Sequence, residues 1–431
     1  MKNLINSFKN NKFLNNFIVL LTGEGVVSLI GMLSMMIIIK AIGLEFNGMI
    51  LSIQTYCLLL NNIFGFKSFQ ALIKYVAVAF ERKDNEKVKD YIYQSYALDI
   101  IAAILATFFS FVFLNIYGRF MDWNSHMIFY AKIFIWASIF QIQGTPIGIL
   151  RTFNKFNYIT YSNVLVAIVR LILYLMGILG KFNFNYYFYS EVILFILPNI
   201  LINYLAYKAL KEKKLTDFYK RKLIIDKGFF MFNFYSNISS TIDIPVGTLT
   251  TVIINKYLGY SQISIYKVFE KIGSIIGKLG SPLGQIIYPE MNERIAKKNY
   301  KSAKKMNDKL MYSIFALGTV IIVLAYFTHE LWLGFFISNY DEYVFSLMFY
   351  LVFVVFINGT VGVHSLFIAL NYIKYTVPIL LGVNVIYLIA IYFLVNNWGL
   401  NGVILALSLQ AFVVVILKLV IMRKNNYREK I

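Results

Sequence analysis

Long apolar stretches separated by short, lysine-rich segments dominate the chain. Crossing a hydrocarbon layer of ~30 Å takes about 20 residues of helix. A window of that length predicts twelve helices, at roughly 14–40, 46–78, 92–117, 127–149, 158–179, 187–207, 229–256, 261–289, 309–331, 343–370, 376–395 and 401–422. The second and eighth are long and carry lysines. No segment alternates apolar and polar residues for long, so a transmembrane barrel is not expected.

Composition agrees with that pattern. Hydrophobic residues make up 59% of the chain and charged residues 14%, with a mean hydropathy of +0.66. Soluble domains carry about 45–50% apolar and about 25% charged residues. A soluble enzyme, a coiled coil and a disordered chain are therefore excluded. The single Cys57 rules out a disulfide framework and is expected inside a span as a small apolar residue. There is no cleavable signal pattern, because the first apolar run starts near Leu14, is long, and lacks a small-residue cleavage site.

The net charge of +20 comes from 41 Lys and Arg against 21 Asp and Glu. In a membrane protein such an excess is first of all topological, so no nucleic-acid partner is expected. Alternate connections sort the cations sharply. One set holds the N-terminus, residues 80–90, 150–157, 208–228 and 290–309, Lys374 and the tail from Arg423, with 29 Lys and Arg; the other holds Lys40, Arg119, Lys181 and Lys256, or 4. This places both termini in the cytoplasm and makes the span number even. Trp123, Trp332 and Trp398 fall at the outer ends of spans beside Tyr186–Tyr189 and read as an outer interfacial belt. The outer connections are all short, which leaves no room for an enzyme site built in a large outer loop.

The two halves carry matching landmarks. Lys40-Ala41-Ile42-Gly43 recurs as Lys256-Tyr257-Leu258-Gly259, and Phe153-Asn154-Lys155-Phe156 as Tyr372-Ile373-Lys374-Tyr375. Six spans per half make the halves parallel repeats, which enclose a cleft at their interface. The expected organisation is an N-terminal lobe over 1–208, a basic cytoplasmic linker over 209–228 and a C-terminal lobe over 229–431. The fold class is thus all-α and polytopic, with twelve helices in two six-helix lobes around a central cleft.

Polar residues inside spans are costly and usually face a cavity or a partner. In the eighth span Lys267, Lys271, Ser274, Lys278, Ser281 and Gln285 share one helical face, and Gly273, Gly277, Gly280 and Gly284 line the next, where a neighbouring helix can approach. Lys278 lies near mid-depth, too far from either surface for easy snorkelling. Span two carries Gln54, Asn61 and Ser68, with Lys67 and Lys74 near its inner end. Arg170 lies about twelve residues into span five, whereas Lys132 is near an outer end and can snorkel. Lys278, Lys271, Lys267, Arg170, Lys67 and Lys74 are the candidate cationic lining of the cleft. Gln54, Asn61, Ser274, Gln285 and Asn237 are its candidate polar lining.

Glu24 and Asp243 lie in the first helix of each half and are the candidate ion-coupling residues. Pro245 blocks the hydrogen bond to the Thr241 carbonyl, and a freed carbonyl beside a carboxylate suits a proton or sodium ion. Pairing with a lysine is the plainer alternative. Pro146, Pro198, Pro282 and Pro378 are expected to kink their helices, while Asp99 and Glu191 lie near span ends and are expected to matter little. No catalytic motif or metal site emerges. Gly273-x-x-x-Gly277-Lys278 has the wrong spacing for a phosphate loop and is followed by Leu279; Gly23-Glu24-Gly25 lacks a third glycine at Ser28. His126, His329 and His364 are scattered, and only His364 lies where it could line the cleft. No cofactor and no enzymatic activity are expected.

Several motifs carry a family resemblance: Ile42-Gly43-Leu44-Glu45-Phe46-Asn47-Gly48, Ile286-Ile287-Tyr288-Pro289, and Leu150-Arg151 followed by Lys155-Phe156. With the twelve-span, two-lobe architecture, they resemble the O-antigen (Wzx-like) polysaccharide flippases of the multidrug/oligosaccharidyl-lipid/polysaccharide (MOP) superfamily. Lipid II flippases of that superfamily have two further C-terminal spans. The resemblance implies a cargo of oligosaccharide on undecaprenyl pyrophosphate, moved from the inner to the outer leaflet of a bacterial inner membrane. It also implies membrane lipids as partners, with the polymerase and chain-length regulator of lipopolysaccharide or related polysaccharide biosynthesis as candidate partners. The cationic lining would hold the pyrophosphate. Two other readings stay open: a MATE-like drug/cation antiporter, and a membrane polysaccharide polymerase or glycosyltransferase.

Overall fold

A computed structural model describes residues 12–424 apart from Lys67, Arg221 and Asp243; side chains are described from Gly23 on, except at 239–240, 278–286 and 288–289. Among the described residues the secondary structure is helical throughout. The helices are α1 (Lys12–Phe64), α2 (Ser68–Glu81), α3 (Asn85–Phe120), α4 (Ser125–Ala137), α5 (Gly144–Thr152), α6 (Phe156–Leu179) and α7 (Phe184–Glu212). They continue as α8 (Lys227–Thr241), α9 (Thr250–Leu258), α10 (Tyr260–Ala296), α11 (Tyr300–Trp332), α12 (Val344–Gly359), α13 (Val361–Ala369) and α14 (Thr376–Lys424). The chain is an all-α polytopic membrane protein.

Two of these helices are far longer than a bilayer is thick. At 1.5 Å per residue, the 53 residues of α1 would reach about 80 Å if straight. Each is bent at a glycine outside helical geometry: Gly43 in α1 (φ 82°) and Gly399 in α14 (φ 55°). Gly259, between α9 and α10, has φ 89°. These values favour glycine, because a side chain there clashes with its own backbone. Each bend separates two of the predicted spans.

Other spans are assembled from pieces. The second is α1 beyond Gly43 plus α2, with a break at residues 65–66. The fourth is α4, a 3₁₀ turn over Ser138–Phe140, and α5; the tenth is α12 and α13. The seventh is α8, a π-helical turn over Pro245–Leu249, and α9. Pro146 and Pro378 do not kink anything: each sits in the first turn of its helix, where the missing N–H has no partner to lose. Pro198 lies inside the unbroken α7.

Contacts divide the chain into two units. The first comprises residues up to Ile42 together with Met49–Ile244; the second comprises Gly43–Gly48 together with residues from Pro245 on. Residues on either side of Arg221 pack on the first unit: Leu215 is buried and the Gln94 side chain bonds both the N–H and the carbonyl of Asp226. Gly43–Gly48 is tied into the second unit through Ser264, whose hydroxyl donates to the Leu44 carbonyl (2.6 Å) and accepts from Asn47 (3.0 Å).

Each unit has a core at the end that carries the basic connections, and the two cores use corresponding positions. Leu72, Val76, Val88, Ile149 and Leu150 in the first correspond to Ile287, Met291, Ala303, Leu366 and Phe367 in the second, at offsets of 215 to 217 residues. The turns correspond as well. Lys83 and Lys298 both have φ 58°, each followed by an N-cap (Asp84, Asn299) that accepts from the N–H three residues on. Asn154 (φ 60°) and Asn371 (φ 66°) close the same helix-ending turn. That pairing sets the repeat register at 217 here, so Lys155 matches Tyr372 rather than Lys374.

The aromatic belt needs correction at two places. Trp123 is 8% exposed and packs edge-on against Tyr56 and Tyr117, and Tyr187 and Phe188 are fully buried. Trp398, at 59% exposure, does stand out from the protein.

Candidate functional site

One polar cluster inside the spans gathers on Glu191 of α7. Its carboxylate is 7% exposed and has three partners from two other helices. Arg170 of α6 places Nε 3.6 Å from Oε1, Tyr174 one turn further along α6 donates its hydroxyl to the same oxygen, and Gln54 of α1 donates to Oε2 at 2.6 Å. Arg170 and Tyr174 share a face of α6 because they are four residues apart. Ionised carboxylate and guanidinium desolvate at a cost of several kcal/mol each, which only mutual pairing and full hydrogen bonding offset. Arg170 is therefore not a lone cation, and about a third of its side chain remains uncovered.

A second carboxylate, Asp99 of α3, joins two broken spans. Its Oδ1 accepts from Ser68 Oγ at the start of α2, and its Oδ2 from the Thr145 N–H at the start of α5, both at 2.7 Å. Helix N-termini carry unpaired N–H groups and partial positive charge, so a carboxylate there is doubly favoured. A side chain at Gly144 would run into Ser68 Oγ and Asp99, which is why the approach is made at a glycine. Ser95, one turn before Asp99, hydrogen-bonds the Thr145 hydroxyl at 2.7 Å.

In the second unit, Lys267 of α10 is paired with Glu270 at 2.6 Å. Tyr266 and Phe269 pack on Tyr350 of α12, and Thr250 hydrogen-bonds Tyr387 at 2.6 Å. Gly273 lies close under Tyr350 and Val354, as the glycine stripe predicts; a side chain at Gly277 would meet Asn358 Nδ2 at 3.9 Å, an ordinary contact. Lys418 of α14, only 7% exposed, lies 3.0 Å from His364 Nδ1.

The structure brings Gln54 and Arg170 together through Glu191. The other candidates have separate surroundings. Lys271 is half-buried, and the Ser274 hydroxyl returns to the Lys271 carbonyl of its own helix. Asn61 likewise donates to the Cys57 carbonyl, while half-buried Asn237 donates to Ile63 O at 3.3 Å. Lys74 is exposed, 4.3 Å from the centre of the Phe232 ring. Glu24 is exposed. Lys67 and Asp243, and the side chains of Lys278 and Gln285, lie outside the described residues. The Thr241 carbonyl is not freed by Pro245, since the Ile244 N–H takes it at 3.1 Å.

Sequence reasoning passed over three buried charges: Asp99, Glu191 and Lys418. The first two looked marginal because their depth was measured from the ends of apolar runs. Helix α3 begins at Asn85, which places Asp99 fourteen residues in. The Arg170/Tyr174 spacing was the available sign that a carboxylate faced α6. No group of three His, Cys, Asp or Glu with metal-binding geometry exists among the described residues.

An inner membrane protein, YghQ of Escherichia coli (strain K12), is 20% identical over 270 residues, covering 62% of this chain and 76% of its own. The fold is that of MOP superfamily transporters. A multidrug resistance MATE family transporter of that superfamily in an inward-facing conformation superposes with a TM-score of 0.77 at 12% identity, over 94% of this chain and 96% of its own. A MOP superfamily transporter from Pyrococcus furiosus Vc1, described as having a binding pocket of reverse polarity, gives 0.67 at 12% identity over 95% and 94%. Residues 13–295, well over half of the sequence, match the pattern of polysaccharide biosynthesis proteins, and the chain belongs to that family.

Proposed function

We propose that the chain is a flippase for lipid-linked oligosaccharides. Its cargo would be a polysaccharide repeat unit on undecaprenyl pyrophosphate, carried by alternating access from the cytoplasmic to the outer leaflet of a bacterial inner membrane. The observation that carries this reading is the match to polysaccharide biosynthesis proteins over 13–295 in a chain with the MOP transporter fold. The 29-to-4 asymmetry of cations supports termini in the cytoplasm.

Chemistry within the spans suits such a cargo. Arg170, already balanced by Glu191, is positioned to exchange that counter-ion for a diphosphate; Lys267 stands in the same relation to Glu270. Lys271 and Lys278 add point charges on the same helix, and Lys67 and Lys74 would guide the headgroup from the basic side. Glu191, as a carboxylate held within a span beside Arg170, joins Glu24 and Asp243 as a coupling candidate.

The test is a deletion strain complemented with the wild type, Lys278→Ala, or the charge-neutral double variant Arg170→Met/Glu191→Gln. Membrane-impermeant periodate oxidation then reports which leaflet holds the repeat unit. Both variants should leave the protein in the membrane and trap the unit inside. Normal surface polysaccharide in both would overturn the roles assigned, and unpolymerised units on the outer leaflet of the deletion strain would indicate a polymerase instead. Glu191 also favours a second reading, a cation antiporter, because it is a carboxylate held within a span. Resistance to cationic dyes that depends on Glu191 would establish that reading.

A further inference from the structure

The basic end of the second unit contains a slot of about 370 Å³ that the transport reading does not use. It lies between the first turns of α11, the last turns of α14, and α13. Lys304, Asn307, Asp308 and Arg423 form its polar part. Ile416, Leu419 and Val420 continue it as an apolar wall, reaching up to about 10 Å further into the membrane-spanning part of α14 at 1.5 Å per residue. These three side chains are 39%, 46% and 51% exposed, so protein does not cover them.

Asn307 supplies an independent sign of a ligand. It is 6% exposed, it lines the slot, and its Oδ1 is buried with no hydrogen-bond partner. Its Nδ2 donates to Asp308 Oδ1 at 3.2 Å. An orphaned buried acceptor costs about 1–3 kcal/mol, which a donor from a bound molecule would recover. The occupant must therefore combine three properties: negative charge for Lys304 and Arg423, a hydroxyl to donate to Asn307, and an apolar chain for the α14 wall. Two cations against the single carboxylate of Asp308 leave the slot net positive.

We propose that this slot binds an anionic phospholipid with a hydroxylated headgroup, phosphatidylglycerol being the chemistry that fits. The phosphate lies between Lys304 and Arg423, the headgroup hydroxyl reaches Asn307 and Asp308, and one acyl chain follows Ile416, Leu419 and Val420. The proposal is independent of the cargo.

The test uses the full chain in nanodiscs and in native mass spectrometry, with phosphatidylglycerol, phosphatidylethanolamine and the hydroxyl-free anion phosphatidic acid as probes. Phosphatidylglycerol should be retained about tenfold over phosphatidylethanolamine. The double variant Lys304→Ala/Arg423→Ala should remove most of that preference without shifting the melting temperature. Asn307→Leu should abolish discrimination between phosphatidylglycerol and phosphatidic acid. Equal retention of all three lipids, selective retention of phosphatidylethanolamine, displacement by millimolar inorganic phosphate, or an unchanged lipid preference in the double variant would each overturn the proposal. If Asn307→Leu fails to fold, the double variant decides the outcome.

Discussion

Glu191 illustrates how a single side chain organises charges inside an apolar protein. Three groups converge on it, so removing its charge leaves Arg170 without a counter-ion in a low-dielectric setting. Glu191→Gln should cost about 3–5 kcal/mol, read as a lower melting temperature in detergent, whereas Arg170→Met/Glu191→Gln should recover most of that loss. Asp99→Ala removes two hydrogen bonds to a charged acceptor, each contributing about 1.5–3 kcal/mol, and should lower the melting temperature comparably. The sequence revealed Arg170 and Gln54 as costly residues within spans. It did not reveal what they touch, because partners on α1, α6 and α7 come together only through packing. Lys267, expected to face a substrate, is instead found beside Glu270, three residues along the same helix and within reach by spacing alone.

Among whole elements, the apolar runs fixed the spans well and the breaks poorly. Spans one, three, five, six, nine, eleven and twelve fall on the helices or helix segments expected for them. The breaks at 65–66, 141–143 and 360 are shorter than a span-length window, which averages over the Gly65, Gln141, Gln143 and Thr360 that mark them. Glycines marked some boundaries more faithfully than prolines did. Gly43→Ala and Gly259→Ala should each cost about 1–2 kcal/mol, since their φ values are positive. Gly277→Ala, at a helical glycine where the added methyl meets Asn358 Nδ2 only at 3.9 Å, should be nearly neutral or stabilising. Comparing the three variants by thermal unfolding separates backbone strain from crowding.

For the molecule as a whole, the repeat was legible from two short motifs, although one was set two residues out of register. The corresponding cores and turns put it on firmer ground: both units use the same positions at the same end. That end is also held together by partly exposed ion pairs in the first unit, Lys89 with Asp217 (2.9 Å) and Lys155 with Glu212 (2.5 Å). The hydrogen bonds from lysine hold both carboxyls below the usual carboxylate range, and those to carboxylate raise both lysines. Their contribution is complete above the ordinary carboxylate pKa and disappears as pH falls through the depressed values; at the alkaline end it disappears above the raised lysine values. Melting temperature should therefore be flat from about pH 5 to 10 with respect to these pairs and should fall in acid. The acid loss should shrink in Asp217→Asn/Glu212→Gln and at high salt.

The carboxylate of Asp99 has a mechanical corollary. Because one rigid group clasps the starting turns of both α2 and α5, neither segment can tilt without dragging the other. Any tilt of the pair would bend the chain at the non-helical stretches 65–66 and 141–143 together.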